Sequence, residues 1–149
     1  MGDSDLLQLY SGRILALAAD IPHLGRLPEP DGSARRRSPT CGSSVTVDLA
    51  VTDGRITEFA QEVKACALGQ ASAAILGRVV IGLDAAALDL ARRSVTAMLQ
   101  EDGPPPAAPF QDYEVLIPAR GYRNRHASIL LVLDAAAEAM AQATARTAQ

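Results

Sequence analysis

Residues 43–65 read SSVTVDLAVTDGRITEFAQEVKA, and their spacing decides the fold. Val45, Val47, Leu49 and Val51 fall on one side of an extended chain, and Thr46, Asp48 and Ala50 on the other. A period of two marks a strand with one buried face. Thr52-Asp53-Gly54 supplies the turn, because Asp-Gly tolerates the positive φ values of a tight hairpin. Residues 55–63 then return antiparallel, presenting Ile56 and Phe59. A sheet of two to three strands is too small to stand alone and must pack against helices.

Outward from the hairpin the chain is helical. Ser4–Ala19 carries apolar residues at helical spacing behind a candidate cap at Ser4. Residues 20–40 are rich in Pro, Gly, Ser and Arg, a long loop with room for one short edge strand. After Cys66 the run ALGQASAAILGRVV is helix-prone, Asp84 caps a second helix, and GPPPAAP at 103–109 interrupts the chain. From about Tyr122 to the end the pattern predicts one long helix with a fraying Ala-rich tail. The reading is α+β: a small antiparallel sheet of two to three strands against four to five helices. With no internal repeat and no linker, residues 1–149 form one domain.

Composition narrows the function. Hydrophobic residues make up 48% of the 149, enough for a core without disulfides, and the absence of Trp favours helices packed through small side chains. The net charge is −3, and basic residues are scattered except for Arg35-Arg36-Arg37 and the group Arg120, Arg123, Arg125, a distribution unlike a nucleic-acid surface. No run of apolar residues reaches the roughly 18 that a membrane span needs. The first residues, MGDSDLL, are acidic where a signal peptide is basic, and Leu6 breaks the myristoylation pattern begun by Gly2. The expected location is cytoplasmic, where thiols stay reduced.

Two cysteines and a histidine are the candidate ligands. Cys41 lies in SPTCG at the entry to the first strand; a ligand and a small apolar residue fit there equally well. Cys66 follows the second strand and opens the next helix, whose positive end favours a thiolate, with Lys64 adding to it; a core cysteine is the competing reading. An antiparallel hairpin brings the entry of one strand beside the exit of the other, so the two thiols become neighbours and a metal or redox pair. His126, in GYRNRHAS, is the third candidate, and His23, in IPHLG, has a weaker claim. There is no CxxC, phosphate loop, HExxH or nucleophile elbow, and no enzyme activity is expected.

The stretches LYSGRILALAADIPHLG, SPTCGSSVTVDLAVTDGRITEFAQEVKACALGQASAAI, GLDAAAL and RHASILLVLDAAAEAM together resemble the IscU/NifU/SufU family of iron–sulfur cluster assembly scaffolds. The resemblance implies that Cys41 and Cys66 hold iron, zinc or a transient [2Fe–2S]-type cluster, with His126 as a third ligand. It implies a cysteine desulfurase as sulfur donor and apo-proteins as recipients, with the chain a monomer or weak homo-oligomer. Two family ligands are missing: Ser43 stands at the acidic position, and Ala127 at the position of the cysteine that follows the histidine. The family's Leu-Pro-Pro-Val-Lys chaperone motif is also absent. Three N or S donors fall short of the four a closed tetrahedral site takes. The other readings are a degenerate relative acting as a regulatory or desulfurase-docking module, a thiol redox enzyme, and a helical domain with core cysteines.

Overall fold

The alternation that opens the sequence reading is realised as a hairpin, in a computed structural model that describes residues 11–39 and 42–147. The strands are β1 (Gly32–Arg37), β2 (Ser44–Thr52) and β3 (Arg55–Lys64), antiparallel in the order β1-β2-β3. Asp53 and Gly54 take φ of 53° and 77° at the turn between β2 and β3, the left-handed pair such a hairpin requires. The register runs Ser44 with Lys64 to Ala50 with Glu58, then shifts so that Val51 pairs with Ile56. Thr57 is the extra residue of that bulge. It lets Ile56 and Phe59, three apart, both reach the buried face. The loop expected over 20–40 does contain an edge strand, β1.

The buried face of the sheet carries Val45, Val47, Leu49 and Val51. Against it lie α2 (Ala67–Val79) and α4 (Arg123–Thr147), with α1 (Gly12–Ala18), α3 (Ala85–Gln100) and a 3-10 helix (Gln111–Gly121) outside them. The fold is α+β, a three-stranded antiparallel sheet and five helices among the described residues. Helix α2 is buried on nearly every side, which explains its run of Ala, Gly and Ser. Asp84 caps α3 as expected, accepting a hydrogen bond from the Ala87 N–H at 2.8 Å.

Two expectations need correction. Helix α1 begins at Gly12, because extended Ser11 caps it by accepting from the Ile14 N–H; the proposed Ser4 cap lies outside the described residues. The 3-10 helix was not expected. Phe110, Tyr113, Leu116 and Ala119 recur every third residue and all are buried, which is the period of a 3-10 helix and not of an α-helix. Helix α4, by length and composition alone, is long and apolar enough to cross a membrane. More than half of that stretch is buried against the sheet, α2 and α3, so it serves as the core helix.

Two contacts fix the sheet. On its open face Asp48, fully buried, accepts hydrogen bonds from Arg26, the Leu27 N–H and the Ser33 hydroxyl, which ties the loop before β1 to β2. Burial alone would raise the Asp48 carboxyl, but these donors and the Arg26 charge outweigh it and hold it below the usual range. On the buried face Gly32 meets α4 so closely that a Cβ there would stand 1.9 Å from the Ala139 carbonyl oxygen. Gly32→Ala gains at most about 1 kcal/mol of strand propensity, while overpacking against backbone costs roughly 1–3 kcal/mol. The clash wins, and urea unfolding is expected to show a lower midpoint; an unchanged midpoint would contradict this packing.

Candidate functional site

The hairpin register pairs Ser44 with Lys64, so the strand ends leading from Cys41 and to Cys66 are neighbours. Cys41 itself lies outside the described residues. On either side of it the Ser38 N–H donates to the Ser43 carbonyl at 2.8 Å, and the Gly42 N–H to that of Ser38 at 3.2 Å. Cys66 is the N-cap of α2, extended and half-buried, and it makes no direct capping hydrogen bond.

Its partner comes from α4. The Cys66 Sγ lies 3.5 Å from the Ser128 Oγ, which in turn lies 3.1 Å from the Ser43 Oγ. Both serines are almost fully buried. This close approach depends on Gly69: a Cβ there would stand 2.8 Å from the Ser128 Oγ and 3.0 Å from its carbonyl oxygen. One turn further along, the Ser72 hydroxyl donates to the Ile129 carbonyl at 2.7 Å and bonds the buried Tyr113 hydroxyl, locking α2 to α4. Burial pushes the Cys66 thiol up, but Ser128, the Gly69 and Leu68 amides and the Arg125 side chain outweigh it, and the thiol is held below its ordinary value. The positive end of a helix, a hydroxyl and a guanidinium together favour the thiolate.

The histidines are elsewhere. The His126 ring is buried with its Nε2 2.9 Å from the Ala119 carbonyl oxygen; a carbonyl only accepts, so that nitrogen carries the proton. Two residues along an α-helix turn a side chain by about 200°, so with Ser128 facing Cys66, His126 is directed away. The residue of α4 that meets Cys66 is Ser128, next after Ala127. His23 accepts the Gln61 N–H through its carbonyl and packs edge-on against Phe59. Gln61 lies five positions before Cys66, about 16 Å along an extended chain.

Sequence reasoning therefore missed Ser128 and Arg125, which lie three apart on one face of α4. Their signal was helical spacing, readable only once the rotation of α4 is known. As a cation site the described residues are a poor fit: no group of three His, Cys, Asp or Glu comes together among them. The described residues there offer one thiolate and two hydroxyls, and neutral hydroxyls bind iron and zinc far less well than thiolates. What the site does well is hold a sulfur anion. In a Cys41→Ser background, Ser128→Ala removes a hydrogen bond that stabilises the thiolate, so the thiol pKa rises. The iodoacetamide reactivity of Cys66 is expected to start at higher pH; superimposable curves would contradict this role.

Comparison with known proteins agrees with this architecture. The model of the NifU-like N terminal domain family matches residues 9–128. The N-terminal part of a nitrogen-fixing NifU-like protein from Brucella abortus is 45% identical, superposes with a TM-score of 0.92, and the match covers 95% of this chain and 98% of that one. A protein of Fervidobacterium islandicum described as an iron–sulfur cluster assembly scaffold for the SUF system is 18% identical, with a TM-score of 0.76 over 90% of this chain and 98% of that one. A hypothetical protein at 23% identity gives 0.78 over 91% and 98%. These last two likenesses speak to the fold. No curated protein matches the sequence. With four-fifths of its length matched by the family model and a close structural relative along nearly all of it, the chain belongs to the NifU-like N-terminal domain family.

Proposed function

We propose that the chain is an iron–sulfur cluster assembly scaffold or carrier, one such domain over residues 1–149, with no turnover chemistry of its own. The observation that carries this reading is the Cys66 thiol, held toward its anion by Ser128, Arg125 and the start of α2. A thiolate of this kind attacks the outer sulfur of a donor's persulfide. The bond within the donor persulfide breaks, its thiolate leaves, and Cys66 carries the sulfur as a persulfide anion. Ser128 and Arg125 are in place to donate hydrogen bonds to that anion. A cysteine desulfurase is the donor this chemistry calls for, and apo-proteins are the recipients.

Iron or a [2Fe–2S]-type cluster is cargo here. Cys41, two residues before Ser43, and Cys66 supply the thiolates; for His126 to join them it must leave the Ala119 carbonyl. Iron–sulfur clusters are ordinarily held by four thiolates. With two cysteines in its whole sequence the chain holds its cargo weakly and releases it readily, as a carrier should, and zinc is expected to bind weakly in the same place. Free thiols require a reducing setting, and the cytosol is the compartment we assign.

The test is metal and acid-labile sulfide content after anaerobic incubation with iron, cysteine and a desulfurase. Iron and sulfide are expected in wild type, lost to a desalting column faster in Cys41→Ser and Cys66→Ser. No iron and no sulfide in wild type would overturn the scaffold reading in favour of a desulfurase-docking module.

A further inference from the structure

The cations of this acidic chain differ in what they meet: Arg55 and Arg146 donate to the Gly82 and Pro30 carbonyls, away from the Cys66 end. Arg13, Arg26, Arg36, Arg78, Arg92, Arg93 and Arg120 all have a carboxylate within 4.0 Å. Arg35, Arg37, Lys64 and Arg123 have none among the described residues, and all four stand at the Cys66 end. The sheet register explains the first three. Strand β1 alternates, so Arg36 turns to the α4 side and pairs with Glu138, while Arg35 and Arg37 point to the open face. There Arg37, Ser44 and Lys64 form one row across the strands, and Arg35, Thr46 and Glu62 the next. Lys64 is two residues from Cys66.

Two clefts lie between these groups. One, of about 560 Å³, is floored by Ser44 and Thr46 and walled by Arg35 and Lys64. The other, of about 350 Å³, has Arg37 and Arg123 on its rim with Ser38 and His126. The acidic groups that face this end are Glu62, held 4.0 Å from Arg26, Asp134, near Arg36 and Arg92, and Glu101 beside Arg123. Hydroxyls and unpaired cations around a thiol suit carboxylates. They disfavour a second copy of this chain, whose matching end carries the same sign.

We propose that the open sheet face at the Cys66 end, built on Arg35, Arg37 and Lys64 with Arg123 across the rim, docks an acidic segment of the protein that exchanges sulfur with Cys66. The identity of that exchange rests on the scaffold reading; the preference for carboxylates does not. Complementary charge of this kind raises association rates by about tenfold or more at low salt. A polyanionic nucleic acid is the competing occupant, and the chain's overall net charge of −3 disfavours it.

The test uses Cys41→Ser protein and two peptide probes, each with one cysteine capped as a nitrothiobenzoate disulfide and flanked by glutamates or by lysines. The Cys66 thiolate attacks the peptide sulfur, the mixed disulfide forms, and the nitrothiobenzoate thiolate leaves and is read by its absorbance. The glutamate probe is expected to react at least about tenfold faster than the lysine probe at low salt. The preference is expected to vanish near 1 M salt, where the screening length is about 3 Å, and to reverse in Arg37→Glu/Lys64→Glu protein. Equal rates, a faster lysine probe, or inhibition by a single-stranded oligonucleotide but not by a glutamate peptide would overturn the proposal. No iron enters this assay, so a charge preference without cluster formation sinks the scaffold reading alone, and cluster formation without a preference sinks the docking surface alone.

Discussion

The contact between Gly69 and Ser128 is the constraint on which the site depends. Helix α2 approaches α4 until there is no room for a Cβ at Gly69, and that approach sets the Ser128 hydroxyl against both Cys66 and Ser43. Glycine inside a helix costs about 1 kcal/mol relative to alanine. The cost is offset by what the approach permits, since the same seam lets Ser72 reach the Ile129 carbonyl and Tyr113 bury its hydroxyl. Further from the site, Gly32 does the same for the sheet against α4. Small residues thus let one central helix hold the sheet and α2 together, and the thiol sits where those three elements converge.

The chemistry of the site follows from what stands around that thiol. A hydroxyl donates a hydrogen bond to a sulfur anion at little electrostatic cost, whereas a carboxylate in the same place would repel it. Ser43 and Ser128 therefore favour a thiolate or persulfide over a bound cation, and Arg125 works in the same direction. The unpaired cations on the neighbouring sheet face extend that sign outward from the thiol. On the proposed reading, a scaffold with these ligands would trade retention of its cargo for ease of exchange.

Much of the fold was legible in the sequence. The two-residue period of β2, the Asp-Gly turn and the Asp84 cap are local signals, and each element formed where its signal lay. The 3-10 helix was also written locally, in Phe110, Tyr113, Leu116 and Ala119, but a period of three is rarely sustained and Pro118 obscured it. The site was half legible. Cys66 could be placed at a helix start from sequence, because its position follows from the end of β3. Ser128 could not, because which face of α4 turns to α2 is fixed by tertiary packing, and one residue of error rotates a side chain by about 100°. His126, prominent as a residue type, fell on the far side for that reason.

The central claim is that Cys66 receives sulfur. The most direct measurement is tandem mass spectrometry of alkylated protein after anaerobic incubation with cysteine and a desulfurase, locating the mass of one added sulfur atom. The account predicts that sulfur on the peptide containing Cys66, with less of it in Ser128→Ala. Sulfur found only on Cys41, or on neither cysteine while the desulfurase itself is persulfidated, would contradict it.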